Sequence, residues 1–66
     1  MLIHVNSQDR RVAAGSTVAA LLDSLQLSPK SLAVELNEQV VPRSEHGTTV
    51  LQPGDRIEIV TFVGGG

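Results

Sequence analysis

Histidine is the side chain that most often carries acid–base chemistry near neutral pH, and this sequence has two, His4 and His46. His4 lies between Ile3 and Val5 in an alternating apolar segment, so it is expected on the strand face opposite to theirs. His46 lies beside Gly47 in a polar segment. Local spacing pairs neither histidine with a carboxylate or a second metal ligand. We therefore expect both at the surface, without a catalytic role, and predict no metal site.

The carboxylates form no acid–base pair that the sequence reveals. Five of the seven fall in predicted turns or on the polar side of the predicted helix, namely Asp9, Asp23, Glu38, Glu45 and Asp55. Glu35 and Glu58 fall on the outward faces of predicted strands. Arg10 and Arg11 are neighbours on a predicted strand and face opposite ways, which disfavours an anion site. The ionisable side chains thus indicate a solvated surface and no enzyme active site.

Composition excludes further classes of function. The chain has 66 residues, enough for one domain with a thin core and no deep active-site cleft. It has no cysteine, which excludes disulfides and thiol catalysis, and a single aromatic residue, Phe62, with a net charge of −2, which disfavours nucleic-acid binding. No apolar run reaches the ~18 residues of a membrane span, and Met1–Val5 lacks the pattern of a signal peptide. We expect a cytoplasmic protein.

The three glycines that end the sequence, Gly64, Gly65 and Gly66, admit two interpretations. They are a frayed end without a role, or they deliver the terminal carboxylate into the site of another protein. Glycine suits delivery because a chain without Cβ atoms can thread a narrow channel and leaves its carbonyl open to attack. A partner enzyme would first adenylate the carboxylate with ATP, and a sulfur nucleophile or an amine would then displace AMP.

The last predicted strand, 56–63, separates two kinds of side chain. Ile57, Ile59, Thr61 and Val63 share one face, and Glu58, Val60 and Phe62 share the other. If the isoleucines cover the helix, Val60 and Phe62 are exposed. Two exposed apolar residues in line, including the only aromatic, indicate a docking patch beside the glycines.

The predicted elements follow the order β-β-α-β-(β)-β. The first strand covers 2–5, a turn 6–9 and the second strand 10–14. The helix follows two candidate N-caps, Ser16 and Thr17, carries its apolar residues at helical spacing and ends before Pro29. Strands follow at 32–36, 40–41 and 56–63, with a type II turn at 52–55. The predicted core is Ile3, Val5, Val12, Val18, Leu21, Leu22, Leu25, Leu32, Val34, Leu36, Val41, Leu51, Ile57 and Ile59.

This order predicts an α+β domain of the β-grasp type, with a mixed sheet of four to five strands packed on one helix. The first and last strands are expected side by side and parallel, because the chain between them supplies a long crossover. We predict a β-grasp domain over residues 1–63 and a flexible glycine tail at 64–66.

Three segments resemble the ThiS family, the sulfur carriers of thiamine biosynthesis. They are Asn37–Arg43 (NEQVVPR), Pro53–Val60 (PGDRIEIV) and Phe62–Gly66 (FVGGG). The resemblance covers essentially the whole chain and implies the ubiquitin-like β-grasp fold.

The resemblance also implies a function and partners. A ThiF-type enzyme would adenylate the carboxylate of Gly66 with ATP, and sulfur from a cysteine desulfurase would convert it to a thiocarboxylate for thiazole synthase (ThiG). Gly64 and Gly65 would thread the tail, and we expect Glu58, Val60 and Phe62 to contact the partners with them. The chain would be a co-substrate that holds no cofactor or metal, and no membrane or nucleic acid would be involved.

Other functions remain open at this point. The small subunit of molybdopterin synthase has the same fold, but its members usually carry a Pro-Pro segment where this chain has Val60–Val63. Carriers for amino-acid or siderophore pathways would look alike in sequence. A ubiquitin-like modifier would use Lys30 as its only internal acceptor lysine. In a purely structural module the glycines would be incidental.

Overall fold

The computed structural model describes residues 1–62, which form a five-stranded mixed sheet and one α-helix. The strands are β1 (Leu2–Val5), β2 (Gln8–Arg11), β3 (Leu32–Leu36), β4 (Gln39–Val41) and β5 (Arg56–Thr61), and the helix is α1 (Val18–Ser24). Short 3₁₀ helices cover Pro29–Ser31 and Arg43–Glu45. The predicted end of the last strand at Val63 and the glycine tail at 64–66 lie outside the described residues, so that division of the chain stays a prediction.

The sheet order is β2-β1-β5-β3-β4, which places the last strand at the centre. β1 and β5 pair in parallel, with His4 opposite Arg56 and Val5 opposite Ile57, which confirms the predicted arrangement of the first and last strands. All other neighbouring strands are antiparallel. This order and the single helix are those of the predicted ubiquitin-like β-grasp fold.

The first hairpin is tighter than predicted. Asn6 (φ 49°) and Ser7 (φ 68°) make a two-residue turn, the length at which two positive φ angles match the twist of the strands. β2 therefore begins at Gln8 and ends at Arg11, and the prediction of a strand over 10–14 is wrong in both bounds. All four β2 residues are exposed at the edge of the sheet, so no apolar alternation marks them in the sequence.

The helix begins after Thr17, one of the two candidate N-caps, but ends earlier than predicted. The Thr17 side chain accepts a hydrogen bond from the Ala20 amide at 3.1 Å, which makes it the N-cap. At the other end Gln26 takes φ 59°, and its amide donates to the Asp23 carbonyl while Leu27 donates to Leu22. These two bonds form a Schellman motif, with glutamine at the position where glycine is usual. The motif ends α1 at Ser24, five residues before Pro29.

Two further turns position the central strand. Asn37 and Glu38 have positive φ values, as expected for Asn37, and they join β3 to β4. At Gln52–Asp55 the Asp55 amide donates to the Gln52 carbonyl at 3.1 Å, and Gly54 has φ 82°, which confirms the predicted type II turn. β5 begins directly after this turn.

The core lies between α1 and one face of the sheet, which we call the inner face. Ten of the fourteen predicted core residues are buried, and Val5, Val12, Leu25 and Leu36 are partly buried against them. Met1 and Leu27 also pack on this cluster and were not predicted. The opposite face of the sheet, the outer face, presents alternate side chains of every strand away from the core.

Candidate docking surface

The outer face carries exposed apolar side chains on its central and edge strands. In β5 the inner residues Ile57 and Ile59 are buried, while Val60 and, just beyond the strand, Phe62 are 54% and 56% exposed. Val40 on the edge strand β4 is 68% exposed, whereas its neighbour Val41 is buried. The alternation predicted for the last strand is therefore correct for Glu58, Val60 and Phe62, and their role in partner binding stays a prediction.

The strand register brings these residues together. Val60 lies directly opposite Ala33 of β3, and the Phe62 amide donates to the Ser31 carbonyl at 2.8 Å. Val40 lies directly opposite Glu35 on the other side of β3. Residues from β4, β3 and β5 thus form one surface, which we call the docking surface: Ala33, Glu35, Val40, Glu58, Val60 and Phe62.

Two carboxylates lie within this surface. Glu35 and Glu58 occupy directly opposite positions of β3 and β5, and both point to the outer face because Val34 and Ile57, which precede them, are buried. Within residues 1–62, the single ion pair joins His4 to Asp9, so neither glutamate has a cationic partner there. Arg56 lies two residues before Glu58 on the same exposed face of β5, but it forms no ion pair with Glu58. The centre of the docking surface is therefore acidic, with apolar groups on one side and Arg56 on the other.

The histidines differ from expectation in two ways. His4 Nδ1 lies 2.7 Å from Asp9 Oδ1 across the β1–β2 hairpin, so the prediction that it has no carboxylate neighbour is wrong. His46 is only 5% exposed, so the prediction of a surface position is wrong. Its Nε2 donates to the Val41 carbonyl at 3.2 Å, and its own carbonyl accepts from the Ala19 amide, which draws the ring inward.

Clusters of metal-ligating side chains and surface grooves are the features of the described residues that could hold a metal or a cofactor. Across residues 1–62, no three His, Asp or Glu side chains come together as metal ligands. A groove of about 390 Å³ lies beside the hairpin and the end of α1, and it is lined by both polar and apolar side chains such as Gln8, Arg10, Leu25 and Ile59. No helix in this part of the chain is long and apolar enough to cross a membrane.

Of the predicted site residues, the structure places Glu58, Val60 and Phe62 on one face, and Gly64, Gly65 and Gly66 lie outside the described residues. Sequence reasoning missed Ala33, Glu35 and Val40 as members of the same surface. The alternation of apolar and polar residues along β3 predicts that Glu35 points outward. Its position opposite Glu58 depends on strand order and register, which a single sequence does not contain.

Comparison with known proteins gives a consistent result. A model of the ThiS family matches residues 3–66. The chain is 36% identical to the sulfur carrier protein ThiS of Escherichia coli strain K12, and the match covers 100% of both chains. It superposes on the crystal structure of a thiamine biosynthesis protein (ThiS) from Geobacter metallireducens with a TM-score of 0.85 and 33% identity, again over 100% of each chain.

A second kind of relative is much longer. The chain is 46% identical over 66 residues to a thiazole synthase of Magnetococcus marinus. The match covers 100% of this chain and 20% of that protein, so the chain spans about a fifth of its length. A segment similar to this whole chain is therefore part of a thiazole synthase polypeptide.

Proposed function

Because the chain belongs to the ThiS family, we propose that it carries sulfur as a thiocarboxylate at Gly66 and donates that sulfur to thiazole synthase in thiamine biosynthesis. The observation that carries this proposal is the 36% identity to a sulfur carrier protein over the full length of both chains. The match of the family model, which runs through to residue 66, supports it. The protein would act in the cytoplasm as a co-substrate.

The proposed chemistry has three steps. A carboxylate oxygen of Gly66 attacks the α-phosphorus of ATP in a ThiF-type enzyme, which forms an acyl adenylate and releases pyrophosphate. A sulfur nucleophile, charged by a cysteine desulfurase, then attacks the glycyl carbonyl, and AMP leaves. Because the charged donor is a persulfide, this step leaves an acyl disulfide. A thiol, such as that of free cysteine, then attacks the donor sulfur of the S–S bond, which supplies two electrons, forms a disulfide with the donor and releases the thiocarboxylate. Because a carboxylate is a poor electrophile, the adenylate supplies the leaving group that the substitution needs.

The tail and the residues that precede it suit this role. Gly64 and Gly65 lack side chains, so they can pass through a channel that admits only backbone. In sequence the tail follows β5, the central strand of the sheet, and Val60 and Phe62 near the end of the described residues are exposed. A partner that holds the tail therefore meets an apolar surface next to the point where the tail begins.

The proposed acceptor is thiazole synthase. In Magnetococcus marinus, a segment similar to this chain is joined covalently to a protein of that name. Joining a carrier to the protein that it serves raises their effective concentration, which supports a functional partnership of the separate chains. ATP is used by the activating enzyme, and the carrier itself needs no bound cofactor.

Changes at the glycine tail test the proposal. One residue added after Gly66 displaces the carboxylate by up to ~3.6 Å, and Gly65→Val puts a branched side chain into the channel. Both should reduce thiazole formation by orders of magnitude in a reconstituted reaction, with circular dichroism unchanged. Gly47→Val is the matched control, since no described atom other than those of its chain neighbours lies within 4 Å of a Cβ at that position. Full activity of a chain that ends at Val63 would refute the carrier role.

A further inference from the structure

The docking surface contains a pair of like charges that destabilises the folded protein when no partner is bound. Glu35 and Glu58 lie directly opposite one another on neighbouring strands. Like charges in this position destabilise a sheet, and no cation among residues 1–62 pairs with either carboxylate. A chain that needed only to fold would gain from an opposite-charge pair here.

The apolar neighbours determine what covers these carboxylates. Val40 lies directly opposite Glu35 on β4, and Val60 lies diagonally from Glu35, about 7–8 Å away on β5. A partner that buries both valines must therefore also cover Glu35, which lies between them. Burying a carboxylate without a counter-charge is costly, so such a partner needs a cation at this point.

We infer that thiazole synthase binds the outer face across β5, β3 and β4 and presents an arginine to the carboxylates of Glu35 and Glu58. This inference rests on the proposed function, and it specifies the chemistry of the partner surface. A guanidinium has several N–H donors in one plane, so it can bond both carboxylates at once while its flat face packs on neighbouring apolar groups. A lysine ammonium is a more strongly hydrated point charge and fits this position less well.

Removing the carboxylates should weaken binding without destabilising the free carrier, so the Kd and the Tm are measured separately. Calorimetric titration would measure the Kd for the thiazole synthase of the same organism, using the complete carrier and its variants E35Q, E58Q and the double variant. The double variant should bind about 30-fold more weakly or worse at low salt. E45Q removes one charge outside the docking surface and should leave the Kd unchanged.

Thermal unfolding of the free carrier gives the second measurement. Glu58→Lys converts the like-charge pair into an opposite-charge pair, so its Tm should rise by about 1–8 °C. The same variant should bind thiazole synthase worst of all, because a lysine then faces the partner's arginine. A residue with only a structural role would not improve stability and abolish binding together.

Four outcomes overturn the inference. If the double variant binds like wild type at low salt, the carboxylates do not face a cation. If Glu58→Gln, which removes the charge without adding a cation beside Arg56, does not raise the Tm, the pair is not repulsive. If sedimentation shows a dimer of the carrier that the variants dissociate, while synthase binding is unchanged, a second copy occupies the surface. If wild type itself does not bind the synthase, the proposed partnership fails and this inference fails with it.

Discussion

Asn6 forms two hydrogen bonds with the backbone of Ile59, a residue 53 positions away in the chain. Its side-chain amide donates to the Ile59 carbonyl at 3.1 Å, and its side-chain oxygen accepts from the Ile59 amide at 2.7 Å. The Asn6 backbone amide also donates to the Ile57 carbonyl. The side chain thus continues the parallel pairing of β1 and β5 beyond the end of β1, and it fixes the strand that carries the docking surface.

Replacing Asn6 should therefore be costly. Asn6→Gly removes both side-chain bonds while keeping a residue suited to φ 49°, and we expect a loss of about 1–3 kcal/mol in the free energy of unfolding. Asn37→Gly is the matched control, because Asn37 has φ 50° and two side-chain bonds in an exposed setting. Asn37→Gly should lower the free energy of unfolding by less than Asn6→Gly, since water can replace the hydrogen-bond partners lost at the exposed site. Urea unfolding measures both, and an equal or larger loss for Asn37→Gly would contradict this account.

The helix α1 stabilises the domain mainly through its buried leucines. Leu22 is buried in the core cluster, so Leu22→Ala should cost about 2–5 kcal/mol, enough to threaten a domain of this size. Val40→Ala, at an exposed position, should change stability by less than about 0.5 kcal/mol. A loss below about 1 kcal/mol for Leu22→Ala in the same unfolding experiment would show that the helix packs less tightly than the structure indicates.

The type II turn before β5 depends on a glycine. Apart from their chain neighbours, neither Gly54 nor Gly47 has a described atom within 4 Å of the position of an added Cβ. Of the two, Gly54 has a left-handed φ, of 82°. Gly54→Ala should therefore destabilise the protein by about 1–2 kcal/mol, whereas Gly47→Ala should be neutral or slightly stabilising. The comparison isolates backbone strain from packing. Equal midpoints for the two variants in thermal unfolding would disprove the strain argument.

The exposed apolar residues should matter for binding and not for folding. Val60→Ser and Phe62→Ser are expected to weaken binding to the activating enzyme or to thiazole synthase, because both side chains are more than half exposed in the free protein. Thermal stability should stay nearly unchanged. If Phe62→Ser unfolds the domain, the residue belongs to the core and its assignment to the outer face is wrong.

Regular alternation and helical spacing predicted most of the fold. Val18, Leu21 and Leu22 face the core as their spacing indicates, and the two faces of β5 separate as expected. The parallel pairing of the first and last strands followed from the length of the connection. These features depend on local patterns that a sequence carries directly.

The features that were missed depend on contacts between distant residues. β2 lies at the edge of the sheet with all of its side chains exposed, so the sequence carries no periodic signal for its bounds. His46 is buried because its ring bonds to Val41 and its carbonyl bonds to Ala19, neither of which its polar neighbours in sequence reveal. The opposition of Glu35 and Glu58 likewise requires the register of two strands that lie apart in the chain.

Intact-mass spectrometry can detect sulfur on Gly66 without any coupled reaction. The complete chain would be incubated with a ThiF-type enzyme, ATP, a cysteine desulfurase and cysteine, with a chain ending at Val63 as the control. If Gly66 carries the sulfur, the 66-residue chain exchanges one oxygen atom for sulfur, and the control and a reaction without ATP show no change. An unmodified complete chain in the presence of an active enzyme, or adducts on the lysines of other proteins instead, would contradict it.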